Sequence, residues 1–144
     1  MMLLERHPSF RAAQMRLEGA TSKRRDLSAA KKARILTIKT VVHVVYKTAD
    51  QNISAAQIRS QIRALNKDFR ATNPDKTQTP PPFKGLVSDA RVKFRLVKVT
   101  RTKTTSNGFS FDDRMKKAST GGIAPYLPKT HLNLWVCALT GGLL

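Results

Sequence analysis

A nearly continuous apolar run from Ile38 to Tyr46 constrains the fold of this chain more than any other feature. Its central part, Thr40-Val-Val-His-Val-Val-Tyr46, is rich in β-branched residues, which favour strands. Successive side chains of a strand point to opposite faces, so an apolar run of this kind needs cover on both faces. The pattern therefore predicts a strand that is covered on both faces.

A helix is predicted shortly after this strand. Ser54 and Gln57 have the spacing of a capping box, and Ile53 and Ile58 stand at the positions of a hydrophobic staple. Apolar residues then recur at steps of four, three and four, which predicts one buried stripe. The stripe consists of Ile58, Ile62, Leu65 and Phe69. Asn73-Pro74 is predicted to end the helix.

Two further strands are predicted, which makes the chain an α/β protein. Alternating apolar residues from Val92 to Val97 indicate the second strand, after a proline-rich surface connector at Gln78 to Lys84. Strand, helix and strand in this order predict a βαβ unit with parallel strands. Thr100 to Asn107 is predicted to be a polar turn region, and Asp112 to Lys117 a short helix.

The last segment of the sequence predicts a third strand followed by a turn. Leu132 to Leu139 is apolar on both faces, so cover on both sides is expected. Gly141-Gly142 then allows a turn, and Leu143-Leu144 return to apolar character. The expectation is a three-stranded, mainly parallel sheet whose chain ends as a further element begins.

Composition excludes some classes of function and leaves one alternative open. The chain has 144 residues, a formal net charge of +18 and a single cysteine, Cys137, so an internal disulfide is excluded. No run approaches the ~20 apolar residues of a membrane span. The strong positive charge is attractive to nucleic acid, with further cations on the helix. The alternative function is therefore a small, basic nucleic-acid-binding protein with unspecific affinity. Its cations on the helix are Arg59, Arg63, Lys67 and Arg70.

Four segments, read in order, carry a family resemblance that extends over most of the chain. They are Thr40-Val-Val-His-Val-Val-Tyr46, the helix from Asn52 to Asn73, Lys116-Lys-Ala-Ser-Thr-Gly-Gly122, and Leu132-Asn-Leu-Trp-Val-Cys137 with the Gly-Gly-Leu-Leu turn after it. Together they resemble the pappalysin-type (cytophagalysin) metallopeptidases, a branch of the metzincins. The resemblance implies an α+β, metzincin-like fold and a zinc-dependent metalloendopeptidase that hydrolyses peptide or protein substrates.

The resemblance also implies a division of the chain. Residues 1–34 resemble a propeptide-like basic helical segment and linker. Residues 35–144 resemble the amino-terminal half of a catalytic domain, truncated before the edge strand and the zinc helix. A secreted, monomeric parent protein is implied, although Met1-Met-Leu-Leu-Glu-Arg-His-Pro lacks the apolar stretch of a secretory signal.

The zinc chemistry of such an enzyme is not encoded in this sequence. Metzincins use His-Glu-x-x-His-x-x-Gly-x-x-His, in which histidines bind zinc and the glutamate activates water. The histidines here are His7, His43 and His131, far apart and without a neighbouring glutamate. We therefore predict no catalytic and no metal-binding residue in this chain, and expect it to bind no zinc and to be inactive alone.

Two predictions concern residues near that missing chemistry. His43 lies in the middle of the first predicted strand, so we expect a buried, neutral imidazole with hydrogen-bond partners. In metzincins the substrate pairs with an edge strand that follows the third strand. The resemblance implies that Leu143 and Leu144 approach that substrate-binding edge.

Overall fold

The computed structural model describes residues 11–12, 14–19, 34–110 and 112–140. The chain divides into two compact units, Met1–Arg34 and Ile35–Leu144. In the first unit, residues 11–12 and 14–19 are helical, and Gln14 Nε2 donates a 2.9 Å hydrogen bond to Glu18 Oε1 one turn away. No described helix is long and apolar enough to cross a bilayer.

The second unit is built on a parallel three-stranded sheet. Its strands are β1 (Leu36–Tyr46), β2 (Val92–Lys103) and β3 (Leu132–Val136), in the spatial order β2-β1-β3. Both neighbours pair with β1 in parallel. The predicted α/β class with a parallel βαβ arrangement is confirmed.

The centre of β1 is the most deeply buried part of the described structure. Every side chain from 40 to 45 is buried. Val42 and Val44 face the helix, whereas Val41 and His43 face the opposite side of the sheet. The two faces are called here the helix face and the second face. The predicted double cover of this strand is confirmed.

Helix α1 (Ala55–Phe69) covers the helix face. Its predicted capping box is present, because Ser54 Oγ accepts from Gln57 N and Gln57 Oε1 accepts from Ser54 N. Ile58 and Ile62 are buried, and Ile58 packs with the valines of β1. Phe69, at the end of the stripe, is 41% exposed but meets the ring of Phe94 edge-on at 4.9 Å.

Helix α1 ends earlier than Asn73-Pro74, where the sequence placed its end. Ala71 has a left-handed backbone with φ of 50°. Thr72 N donates to Lys67 O at 2.8 Å and Ala71 N to Asp68 O at 3.0 Å, which together form a Schellman motif. This cap satisfies the last carbonyls before the proline is reached. The exposed connector then makes two short 3₁₀ turns, Pro74–Gln78 and Pro81–Leu86.

The side chain of Asn66 joins α1 to strand β2. Its Oδ1 accepts a 2.7 Å hydrogen bond from Phe94 N, and its Nδ2 donates a 3.0 Å bond to Phe94 O. One amide thus satisfies both backbone groups of a residue in an edge strand. It also closes that stretch of the β2 edge to another strand.

Strand β2 is longer than predicted, and the assignment of its last residues to a turn was wrong. Residues 100–103 continue the ladder with β1 until Tyr46 pairs with Lys103. The register changes between Thr40 and Val41, which leaves Val97 as an extra residue of a bulge. The long partner strand, and not the polarity of these residues, sets the length of β2.

The segment from Thr104 to His131 follows β2 and covers part of the second face. Phe109 is 3% exposed within it. The predicted short helix at Asp112 to Lys117 is replaced by two 3₁₀ turns, Arg114–Lys116 and Ala118–Thr120. Gly121 has φ of 82°, and a Cβ at Gly122 would collide with Met115 O. The glycine pair is therefore needed for this packing.

Strand β3 ends at Val136, three residues before the predicted end at Leu139. Leu139 instead forms a separate parallel bridge with Phe109, whose N donates to Ala138 O and whose O accepts from Thr140 N. The described residues of β3 are half-buried or exposed. The sequence predicted cover on both faces of this strand, but within the described part of the chain that cover is incomplete.

We predict that Asn66→Ala destabilises the fold by about 1–3 kcal/mol, since both backbone groups of Phe94 lose their partner. Urea denaturation followed by circular dichroism measures the change. Gln61→Ala is the matched control, because Gln61 is an exposed amide on the same helix. Equal effects of the two substitutions would show that the Asn66 bridge contributes nothing specific.

A second prediction concerns Asp89, which forms an ion pair with Arg70 at 2.9 Å. The hydrogen bond from Arg70, followed by one from Arg91 N, lowers the pKa of Asp89 below 3.8. The carboxylate therefore stabilises the fold above its unfolded-state pKa, and this contribution is lost as the pH falls through the folded-state pKa. Asp89→Asn should be less stable than the parent at neutral pH, and the two should converge in strong acid. Thermal unfolding at a series of pH values measures the stability of both proteins. A stability difference that does not change with pH would contradict this prediction.

Candidate functional site

A line of polar side chains crosses the second face of the sheet through His43. The imidazole is only 1% exposed. Its Nδ1 lies 2.7 Å from Thr100 Oγ1 on β2, and its Nε2 lies 2.8 Å from Asn133 Oδ1 on β3. These three side chains, one from each strand, are called here the polar ladder. The predicted burial and hydrogen bonding of His43 are observed.

The surroundings of Asn133 fix the proton positions in the polar ladder. Asn133 Nδ2 donates to the carbonyls of Tyr126 and His131, each at 3.1 Å, and Oδ1 accepts from Tyr126 N at 2.8 Å. Oδ1 is thus an acceptor, so His43 Nε2 carries the proton that it shares with Asn133. In the neutral ring, Nδ1 then accepts from the hydroxyl of Thr100. Both ring nitrogens are occupied, and neither has a free lone pair for a metal ion.

Trp135 covers the imidazole from the β3 side. It stands opposite His43 in the ladder, and the two rings stack with centroids 4.8 Å apart. The indole Nε1 donates a 3.1 Å hydrogen bond to Ile123 O in the covering segment. Trp135 thus ties that segment to the sheet and closes the polar ladder against water.

The histidines do not fit a zinc site. His43 is committed to Thr100 and Asn133, while His131 Nδ1 lies 2.9 Å from Thr130 Oγ1 and its ring packs edge-on against Tyr126. His7 lies outside the described residues. Across the described residues, no three histidine, cysteine, aspartate or glutamate side chains converge as metal ligands. No step through a bound metal can be derived from these side chains.

A half-open cavity of about 550 Å³ lies beside the end of β3. Its wall includes Met115, Lys116, Trp135, Val136, Cys137 and Leu139. The thiol of Cys137 is half-buried, and burial raises its pKa. The nearest cation in the wall, Lys116, is paired with Asp113 at 2.7 Å. A thiol of this kind is a small apolar side chain and a poor nucleophile.

The outer edge of β3 lies next to this cavity. Within the described residues, β3 pairs with β1 alone. An unpaired strand edge presents backbone donors and acceptors to any further strand. Leu143 and Leu144, which the sequence placed at the approach to a substrate-binding edge, lie outside the described residues.

Sequence reasoning found His43 but missed its partners. The sequence pattern places Thr100 in a turn and Asn133 within an apolar strand. The signal for Asn133 was present, since an amide within an apolar strand needs a hydrogen-bond partner. Which side chain provides that partner depends on the register of three strands, and this emerges only in the fold.

No protein-family model matches the sequence, and no curated protein matches it. Among solved structures, the chain is similar to mirolysin, a secreted metallopeptidase. Mature mirolysin of Tannerella forsythia in complex with a cleaved peptide is 40% identical with a TM-score of 0.74, and the match covers 78% of this chain and 46% of that one. Mirolysin in complex with a compound is 39% identical with a TM-score of 0.72, covering 75% and 44%.

A promirolysin mutant from the same organism is 32% identical with a TM-score of 0.74, and here the match covers 93% of this chain and 47% of that one. The chain therefore spans about half the length of the mirolysin chains that it matches. The parallel sheet and its helix have the fold of a metallopeptidase catalytic domain, as seen in mirolysin.

Proposed function

We propose that this chain is the amino-terminal part of a zinc-dependent metalloendopeptidase of the pappalysin type, secreted and acting on peptide or protein substrates. The main observation that supports this proposal is the similarity to mature mirolysin, at 40% identity over 78% of this chain. The complex of that enzyme with a cleaved peptide supports a peptide substrate class. The basic nucleic-acid-binding alternative receives no support from these neighbours, which are peptidases.

Within this proposal, residues 35–144 form the scaffold of the catalytic domain. Mirolysin chains extend well beyond the matched part, since the match covers only 44–47% of them. In this proposal, a part of the protein that corresponds to the unmatched half of mirolysin supplies the zinc-binding helix and the substrate-binding edge strand. The open edge of β3 and the adjacent cavity are compatible with the packing of such a strand.

Residues 1–34 are proposed to be propeptide-like. The match with the promirolysin mutant covers 93% of this chain, compared with 75–78% for mature mirolysin. The extra coverage is accompanied by lower identity, 32% compared with 39–40%. A propeptide is expected to match a proenzyme and not the mature enzyme.

We predict that the isolated 144-residue chain binds no stoichiometric zinc and hydrolyses no peptide bond. The reason is that the described histidines are committed to other contacts and the zinc motif does not occur in the sequence. Metal analysis after dialysis against zinc, together with hydrolysis of a denatured protein substrate, measures both properties. Stoichiometric zinc with turnover that a chelator abolishes would contradict the inactivity of the chain.

The family assignment has its own test, which is independent of the activity of the chain. Reading the nucleotide sequence beyond the codon of Leu144 should reveal an HExxHxxGxxH motif within about one hundred residues, because zincins place this motif on a helix after the sheet. If the reading frame continues for that length without the motif, the proposed zinc peptidase is wrong.

We further predict that His43 is structural. His43→Leu should destabilise the chain by about 1–3 kcal/mol, since Thr100 and Asn133 lose a buried partner, and should leave zinc content unchanged. His131→Leu is the matched control and should have a smaller effect, because this side chain is less buried. Urea unfolding and metal analysis of both variants measure the outcome. Unchanged stability with a loss of bound zinc in His43→Leu would reverse the assignment.

A further inference from the structure

Four exposed cations lie together on the second face, beside the part that the Thr104–His131 segment covers. They are Lys39 on β1 and Lys93, Arg95 and Lys98 on β2, and they are called here the basic strip. The ladder pairs Thr37 with Lys93, Lys39 with Arg95 and Val41 with Lys98, so these side chains share one face. The opposite face at the same level carries Ile38 and Phe94, which pack towards α1.

The positive charge of the basic strip is not compensated within the described part of the chain. The described ion pairs are Arg70–Asp89, Arg114–Asp112 and Lys116–Asp113, and none of them includes a cation of the strip. Lys39 stands directly opposite Arg95, and like charges in this position repel. Lys98 Nζ lies 4.1 Å above the Tyr126 ring, which is a contact with a neutral group. An anion bound across the strip would remove this repulsion.

We propose that the basic strip binds an extended, acidic polypeptide segment. Lys93 and Arg95 are separated by two residues of an extended strand, about 6.6 Å. Alternate carboxylates of an extended peptide have the same spacing, so such a peptide lying along β2 can pair with both cations. Binding through side chains is favoured, because Asn66 already occupies the backbone groups of Phe94 at the β2 edge.

The chemistry of the strip favours a polypeptide over a nucleic acid. Single-stranded nucleic acid binds to basic surfaces on which aromatic rings stack with its bases. The ring next to the strip, Tyr126, already lies beneath Lys98 and packs against His131. Salt bridges between lysine or arginine and carboxylates need no aromatic ring. The proposal stands without the peptidase assignment; if that assignment holds, the segment belongs to a protein substrate or partner.

Binding can be measured by fluorescence anisotropy on the full 144-residue chain with a labelled peptide of alternating glutamate and threonine. We expect binding at low salt that weakens as salt is added, and no binding of the matched peptide with glutamine in place of glutamate. Lys93→Glu/Arg95→Glu should weaken binding about tenfold or more, because both carboxylate partners are lost. Arg59→Glu/Arg63→Glu makes the same change in net charge on the exposed side of α1, and should change the affinity by less than about twofold.

Several outcomes would overturn the proposal. They are absence of binding at low salt, equal losses in the two double variants, binding of the glutamine peptide, and preferential competition by a single-stranded oligothymidine. Circular dichroism establishes whether each variant is folded. Lys39→Glu is a second test on the neighbouring strand if the β2 variant does not fold, and it should also weaken binding. None of these measurements depends on zinc or on hydrolysis, so failure here and failure of the peptidase proposal are distinguishable.

Discussion

The burial of the centre of β1, residues 40–45, is the constraint on which the rest of the second unit depends. A strand with apolar side chains on both faces is stable only between two covering layers. Helix α1 provides one layer through Ile58 and Ile62. The other layer is irregular chain, the Thr104–His131 segment, held by contacts such as the hydrogen bond from Trp135 to Ile123. The two strands that flank β1 satisfy its backbone groups, so nothing in its centre remains open to water.

The two flanking strands explain how a polar residue can lie at the centre of an apolar strand. A buried imidazole without partners would be costly, but His43 reaches one hydrogen-bond partner on each neighbouring strand. A slip of either neighbour by one residue would turn its partner side chain to the helix face and leave the ring unsatisfied. The polar ladder therefore selects the register of all three strands. The contacts of Asn133 with the Tyr126 backbone extend this selection to the covering segment.

Local signals in the sequence predicted those elements whose limits are set locally. The capping box at Ser54 and the stripe that begins at Ile58 define α1 from its own residues, and the run at β1 shows its own burial. The ends of β2 and β3 depend on residues distant in sequence instead. Thr100 looks like part of a turn but belongs to a strand because β1 continues beside it. Leu139 looks like a continuation of β3 but bridges to Phe109 of the covering segment. For the same reason the hydrogen-bond partners of His43 could not be predicted from the sequence, because they are distant in sequence and depend on the register of the strands.

The hydrogen bonds that stabilise this unit also occupy its buried polar groups, so few of these groups remain available for catalysis. Every buried polar side-chain atom in the described residues has a hydrogen-bond partner. A general base or a metal ligand needs a lone pair that is free to act, and both ring nitrogens of His43 already take part in hydrogen bonds within the sheet. Cys137 has a raised pKa and so holds its proton. Hydrolysis by a protein built on this sheet must therefore rely on side chains outside the ladder, whereas recognition by charge can be carried by the surface of the sheet itself. The cations of the basic strip are exposed and form none of the described ion pairs, so they remain available for such recognition.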